Sequence, residues 1–209
     1  MQNIKDFPKN IPVFPLRGAV FFPKTNLPLN IFEERYLQMV KDALKNNRLI
    51  GMIQSKEIGG SLFKIGCLGK ISDHSETGDG RILINLLGLT RFRILDEIKT
   101  DKLYRQFVVK YDDYKSDLLD TKINNNLLKI LNSNTRDFFE KKGLIINWNE
   151  LTKLKIPQQI YTLIMISPIS VSEKQKLLET ISLEETVKTL SEIIKLNLYD
   201  SVSEKNLLQ

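Results

Sequence analysis

The 209 residues suffice for one large domain or two small ones, and 42% hydrophobic with 27% charged side chains are the proportions of a folded globular chain, not of a disordered one. One cysteine, Cys67, and one histidine, His74, exclude an internal disulfide and a Cys/His zinc site. The net charge of +6 raises nucleic acid as a partner, but no run of five basic residues occurs, and the nearest clusters are Arg91-Phe92-Arg93 and Lys141-Lys142.

No apolar run approaches the roughly 18 residues that span a bilayer, and Met1-Gln2-Asn3-Ile4-Lys5-Asp6 lacks the apolar core of a signal peptide. A cytoplasmic protein without membrane contact is expected. Residues 1–10 are polar and read as frayed. Ile11 to Leu16 alternates around Pro12 and Pro15, the pattern of an edge strand, free to pair between chains. Arg17-Gly18 reads as a turn and Ala19 to Phe22 as a short strand stopped by Pro23.

Leu27 to Tyr36 is the stretch around which the chain is organised. Two proline-flanked leucines read as buried extended chain. Asn30 with Glu33 three residues on has the form of a capping box. Phe32, Tyr36, Met39, Val40, Ala43 and Leu44 then share one face of a helix over 31–46. Arg48 to Gln54 is apolar enough for a central strand, and 55–61 with Gly59-Gly60 reads as a loop. Lys64 to Ile71 is a strand whose two glycines mark a bulge or bend. Asp79-Gly80 closes a polar turn from Asp73. Arg81 to Leu87, Thr90 to Leu95 and Tyr104 to Tyr111 are further strands, the first two separated by a bend at Gly88.

Nine of the ten glycines precede residue 115, and helical periodicity takes over after it. The chain therefore divides into a β-rich part, 8–115, and a helical part, 116–200. Helices are expected over about 121–142, from Pro157 to near Pro168, from Ser172 through Leu178, and from a second capping box, Ser182 with Glu185, through Leu198. Leu144 to Ile146 with Trp148 reads as an apolar connection, and 200–209 as a loose tail.

Phe14-Pro15-Leu16, Phe22-Pro23, Leu27 to Tyr36, Ile65 to Ile71, Asp79-Gly80-Arg81 and Leu87 to Ile94 fall in the order of the Lon protease N-terminal domain family, which the chain resembles over about residues 8–198. The Ile31-Phe32-Glu33-Glu34-Arg35-Tyr36 form is similar to the standalone bacterial members without ATPase or protease domains. Lys174 to Glu179 resembles a family stretch in the helical part, whereas Thr186 stands where the family often has an arginine. The resemblance implies an α+β fold, a PUA-like twisted β pseudo-barrel with one helix followed by a C-terminal helical bundle. It implies a non-catalytic protein- or peptide-binding module, an adaptor or holdase, that needs no cofactor. Its partners would be unfolded or degron-bearing protein clients and a full-length Lon protease. No Gly-x-x-x-x-Gly-Lys-Ser/Thr phosphate loop occurs in the sequence.

Cys67 and His74 lie seven residues apart, one in an expected strand and one in a turn, so a Cys–His pair is not indicated. Asp112-Asp113 and Glu184-Glu185 read as a solvated turn and a helix first turn. A protein-binding groove is expected beside Pro28–Tyr36. Phe21, Phe22, Phe32 and Tyr36 would give apolar contacts, and Arg17, Glu33 and Arg35 polar ones; plain core packing is the competing reading of the aromatics. The alternative function is RNA binding through a basic face of Lys64, Lys70, Arg81, Arg91 and Arg93. A hydrolase is the last alternative.

Overall fold

A computed structural model of the chain describes residues 4–56, 60–119, 121 and 123–206. The chain forms two units, Met1–Leu119 and Asp120–Gln209. The first holds strands β1 (Asn10–Leu16), β2 (Asn26–Ile31), β3 (Leu49–Ser55), β4 (Leu62–Glu76), β5 (Ile82–Ile98) and β6 (Gln106–Lys110). It also holds helix α1 (Glu34–Lys45) and 3-10 turns at Ile4–Asp6 and Asp112–Leu118.

The strands form one mixed sheet in the order β2-β5-β4-β3-β1-β6, and β6 pairs again with β5, so five strands close into a ring. Only β1 and β3 run parallel. The 17-residue β5 serves three neighbours: β4 along one edge, then β2 at Ile82–Leu87 and β6 at Arg93–Ile98 along the other. Gly88 does not interrupt it. Between Leu68↔Thr90 and Gly69↔Gly88 the extra residue Leu89 makes a bulge. A Cβ on Gly88 would run into the Phe22 carbonyl.

The ring is filled by Ile11, Val13, Leu68, Phe92, Ile94, Phe107 and Val109, all buried. Phe92 occupies space that two strand glycines leave open. A Cβ on Gly51 would stand 2.9 Å from its ring, and one on Gly66 2.7 Å. Phe7 is buried and tilted against Tyr111 at 5.5 Å, so the chain is ordered before β1.

Several expectations are corrected. β1 is not an edge strand. It pairs with β6 at Asn10–Pro12 and with β3 at Val13–Leu16, and each proline falls where one of the two ladders is absent. Ala19–Phe22 is not a strand but an irregular segment with Val20, Phe21 and Phe22 buried. Asn30 does not cap α1, because its backbone belongs to β2 opposite Leu83. The helix starts at Glu34, and Glu33 takes the cap position with no side-chain cap bond. The strand β4 runs on to Glu76, so His74 is an exposed strand residue and the turn narrows to Thr77–Gly80. Of the loop expected at 55–61, residues 57–59 lie outside the described residues.

The second unit holds α2 (Asn125–Lys141), α3 (Trp148–Lys153), α4 (Ile156–Ile166), α5 (Val171–Glu179) and α6 (Leu183–Asn206). α2 and α6 pack against each other, and Leu131 and Phe138 of α2 and Val187, Leu190 and Ile194 of α6 are buried. The sequence reading lacked α3, where Asn147 accepts from Glu150 N–H at 3.2 Å and caps the helix that Trp148 begins. The α5 capping box is Ser170 with Glu173, two residues before the Ser172 start expected. Ser182 does cap α6, but Glu185 bonds the Ile181 N–H at 2.8 Å instead of closing a box. The last helix continues to Asn206 through positions expected to be loose, and 207–209 lie outside the described residues. Thr186 is buried and bonds the Thr180 hydroxyl at 2.6 Å.

Candidate functional site

The first unit carries a cavity of about 650 Å³. Its walls come from four stretches: Phe14–Arg17 at the end of β1, Leu29–Glu33 at the end of β2, Arg35 and Tyr36 on the first turn of α1, and Leu103–Arg105 before β6. Ser55, Gly60, Leu62 and Glu97 complete the lining.

The amphipathic pattern of α1 sets Tyr36 inward while Arg35 stays at the rim. The Tyr36 ring stacks on Phe14 with centroids 4.0 Å apart, and the Arg35 guanidinium lies 4.7 Å from the centre of the same Tyr36 ring. Arg35 also donates from Nη2 and Nε to Glu33 Oε2, at 2.6 and 3.0 Å. Burial pushes the Tyr36 phenol up, against the opposing field of Arg35. Across the cavity Arg105 donates from Nε and Nη2 to the two carboxylate oxygens of Glu97, at 2.7 and 2.6 Å. That bond holds the Glu97 carboxyl below its usual range and raises Arg105.

The 102–104 stretch is tied to α1. Lys102 Nζ and Tyr104 OH each donate to Asp42 Oδ2 at 2.9 Å, and Leu103 N–H donates to Gln38 Oε1 at 2.9 Å. The Lys102 bond keeps Asp42 below the usual carboxylate range. Burial, helped by Asp42, pushes Tyr104 up to about 12. The result is an aromatic and aliphatic floor bordered by two arginine–glutamate pairs, with Arg17 as a further cation.

Five residues of the expected groove, Arg17, Phe32, Glu33, Arg35 and Tyr36, line this cavity together. Phe32 is 64% exposed, an uncommon state for phenylalanine. Phe21 and Phe22 are not brought there. They are 3% and 0% exposed in the core, Phe21 facing the Gly69 backbone. Glu97, Leu103, Tyr104 and Arg105 were not expected here, because long-range pairings of β6 with β1 and β5 and the bonds of residues 102–104 to α1 bring them to the cavity. Phe14, Pro15 and Leu16 were visible as a motif but read as strand alone.

The basic face of the RNA reading loses its centre. Arg91 is fully buried and paired with Asp117, Arg93 donates to Asp113 at 2.9 Å, and Arg81 pairs with Asp79. Burial pushes the Cys67 thiol well up, with the Asp117 charge adding to it. Among the described residues no group of three His, Cys, Asp or Glu side chains is placed to hold a metal ion, and no helix is long and apolar enough to cross a membrane.

The profile of the ATP-dependent protease La (LON) substrate-binding domain matches residues 10–195. A Lon protease of Dictyoglomus thermophilum is 24% identical over 204 residues, 91% of this chain and 25% of that protein. Lon protease 2 of Myxococcus xanthus is 25% identical over 203 residues, 92% of this chain and 24% of that protein. The chain thus spans about a quarter of the length of these curated relatives. Among solved structures, a Lon N-terminal domain protein from Xanthomonas campestris aligns with a TM-score of 0.67 at 20% identity, covering 87% of this chain and 96% of that one. The N-terminal domain of a Mycobacterium avium complex Lon protease aligns with 0.65 at 13% identity, covering 90% and 98%.

Proposed function

The chain belongs to the ATP-dependent protease La (LON) substrate-binding domain family, and from that premise we propose that it is a non-catalytic module that binds segments of other proteins in the cavity of its first unit. The observation that carries this reading is the exposed Phe32 at the lip of a cavity floored by the Phe14–Tyr36 stack. Exposed apolar surface bordered by polar groups is the ordinary form of a recognition site. The two arginine–glutamate pairs add polar partners for the backbone and charged side chains of a client.

Its clients, in this reading, are unfolded or degron-bearing chains in the cytoplasm, a compartment that the buried thiol of Cys67 suits. Its partner is a full-length Lon protease. As an adaptor it hastens degradation of the client when that protease is added; as a holdase it slows it.

Reduced, carboxymethylated α-lactalbumin, which cannot refold, is the probe. Phe32→Ala removes an exposed ring, so thermal stability stays within about 0.5 kcal/mol of the natural protein. Affinity for the probe, by fluorescence anisotropy, falls about fivefold to tenfold, the loss of one interface anchor. Undiminished affinity in the variant, or no binding by the natural protein, overturns the proposal.

A further inference from the structure

The cavity opens where two strand edges lack a partner strand among the described residues. One is β2, which pairs with β5 alone. The other is the stretch Phe14–Leu16 of β1, whose β6 ladder stops at Pro12 while its β3 ladder continues. Leu29–Ile31 and Phe14–Leu16 both line the cavity.

Alternation decides which backbone groups face it. Gly88 N–H donates to the Thr25 carbonyl at 2.9 Å, so residues 25, 27, 29 and 31 turn toward β5, and Asn26, Pro28 and Asn30 turn away. Val13 N–H donates to the Arg105 carbonyl at 2.9 Å, away from β3, so Pro15 turns away from β3 as well. Both prolines thus sit with their missing donor on the open side, the place a strand tolerates them. The open edges are left with the carbonyls of Pro15 and Pro28 and both backbone groups of Asn26 and Asn30, of which Asn30 lines the cavity. The prolines deny the two edges the donors to pair with each other, while a guest backbone can donate to them.

Charge narrows the guest. Arg17, Arg35 and Arg105 face two glutamates, each already bonded to an arginine, so the lining has one cation in surplus. We infer that the client lies there as an extended, carboxylate-bearing segment that adds a strand across the open edges of β1 and β2, its acidic group toward Arg17. The inference rests on the proposed protein-binding function and specifies the form in which the client is held.

Residue-resolved amide exchange, by NMR with and without carboxymethylated α-lactalbumin, tests it. The Asn30 N–H slows about tenfold or more in the complex, as an amide does on entering a ladder. The carboxamidomethylated form of the same unfolded protein, without the added carboxylates, binds about threefold more weakly, and Arg17→Gln erases that difference. A bound probe that leaves Asn30 exchange unchanged, or equal affinity for the two forms, overturns the inference and leaves the function standing. No binding of either form removes both.

Discussion

Arg91 and Asp117 are the residues whose roles the sequence concealed most. Read in line, Arg91-Phe92-Arg93 is a basic cluster. In the fold, Arg91 has no exposed surface, and Asp117 accepts from its Nε at 3.0 Å, its Nη2 at 2.8 Å and its backbone N–H at 2.9 Å. Tyr114 closes the other face with its ring 4.3 Å from the guanidinium. The acid lies 26 residues away, and no local pattern announces a partner at that distance. Removing it takes from the buried Arg91 the carboxylate that accepts three of its hydrogen bonds, so Asp117→Ala lowers stability by about 3–5 kcal/mol in urea unfolding. The double change Arg91→Met with Asp117→Leu costs less than Asp117→Ala alone, because no charge is left behind. A single variant that unfolds with the midpoint of the natural protein contradicts this account. The same contrast separates the phenylalanines of the expected groove. Their chemistry was legible, but whether a ring faces solvent, as Phe32 does, or fills the core, as Phe22 does, depends on strands far along the chain.

Helix starts show where a local cap forms and where it is overruled, although the sequence analysis set the start of α5 at Ser172 and not at the Ser170 cap. Two Asx- or Ser-led patterns with an acid three residues on, Asn30 with Glu33 and Ser170 with Glu173, meet different fates. At α5 nothing competes, and Ser170 accepts from Glu173 N–H at 3.2 Å while Glu173 accepts from Ser170 N–H at 2.7 Å. At α1 the pairing of β2 with β5 holds Asn30 extended, and a ladder that continues through Ile31 outweighs one cap. Glu33 is then free to meet Arg35 at the cavity. Ser170→Ala therefore costs about 1 kcal/mol of stability. Glu33→Ala, which removes only an exposed ion pair and no cap bond, shifts it by less than about 0.5 kcal/mol. Thermal or urea melts of the two variants check the contrast; equal losses would mean that Glu33 caps α1 after all. The other misreadings have the same origin. Proline spoke for an edge at β1 because the sequence cannot show that two half-ladders, one on each side, cover different residues. The positions of β3, β4 and β6 were legible because those runs are apolar, whereas β5 reads as two strands because Gly88 marks a bulge and not an end. Their closure through β5–β6 was not, since it is a pairing and not a pattern.

At the scale of the molecule the question is where the β unit ends. Composition places the change near residue 115, with nine of the ten glycines before it and helical periodicity after it. The ladders place the last strand at Lys110, but the 3-10 turn Asp112–Leu118 belongs to the unit because its Tyr114 and Asp117 cover Arg91, and Lys24 Nζ donates to the Leu119 carbonyl at 2.9 Å. The six strands, α1, the cavity and this turn all lie within Met1–Leu119. A fragment of residues 1–119 is therefore expected to unfold cooperatively and to bind the unfolded probe with an affinity near that of the full chain. A fragment of residues 1–115 keeps every strand and every cavity residue but loses Asp117, so Arg91 stays buried against Tyr114 without its carboxylate. Its urea midpoint falls by the equivalent of about 3–5 kcal/mol relative to 1–119, the same loss as Asp117→Ala in the full chain. Matching midpoints for the two fragments would show that the turn contributes nothing to the barrel and that the compositional break is the true boundary. A 1–119 fragment that fails to fold would make the helical unit part of the folding unit itself. The expected result places the boundary by the satisfaction of one buried charge, at Leu119 and not at the point near residue 115 where the sequence changes character.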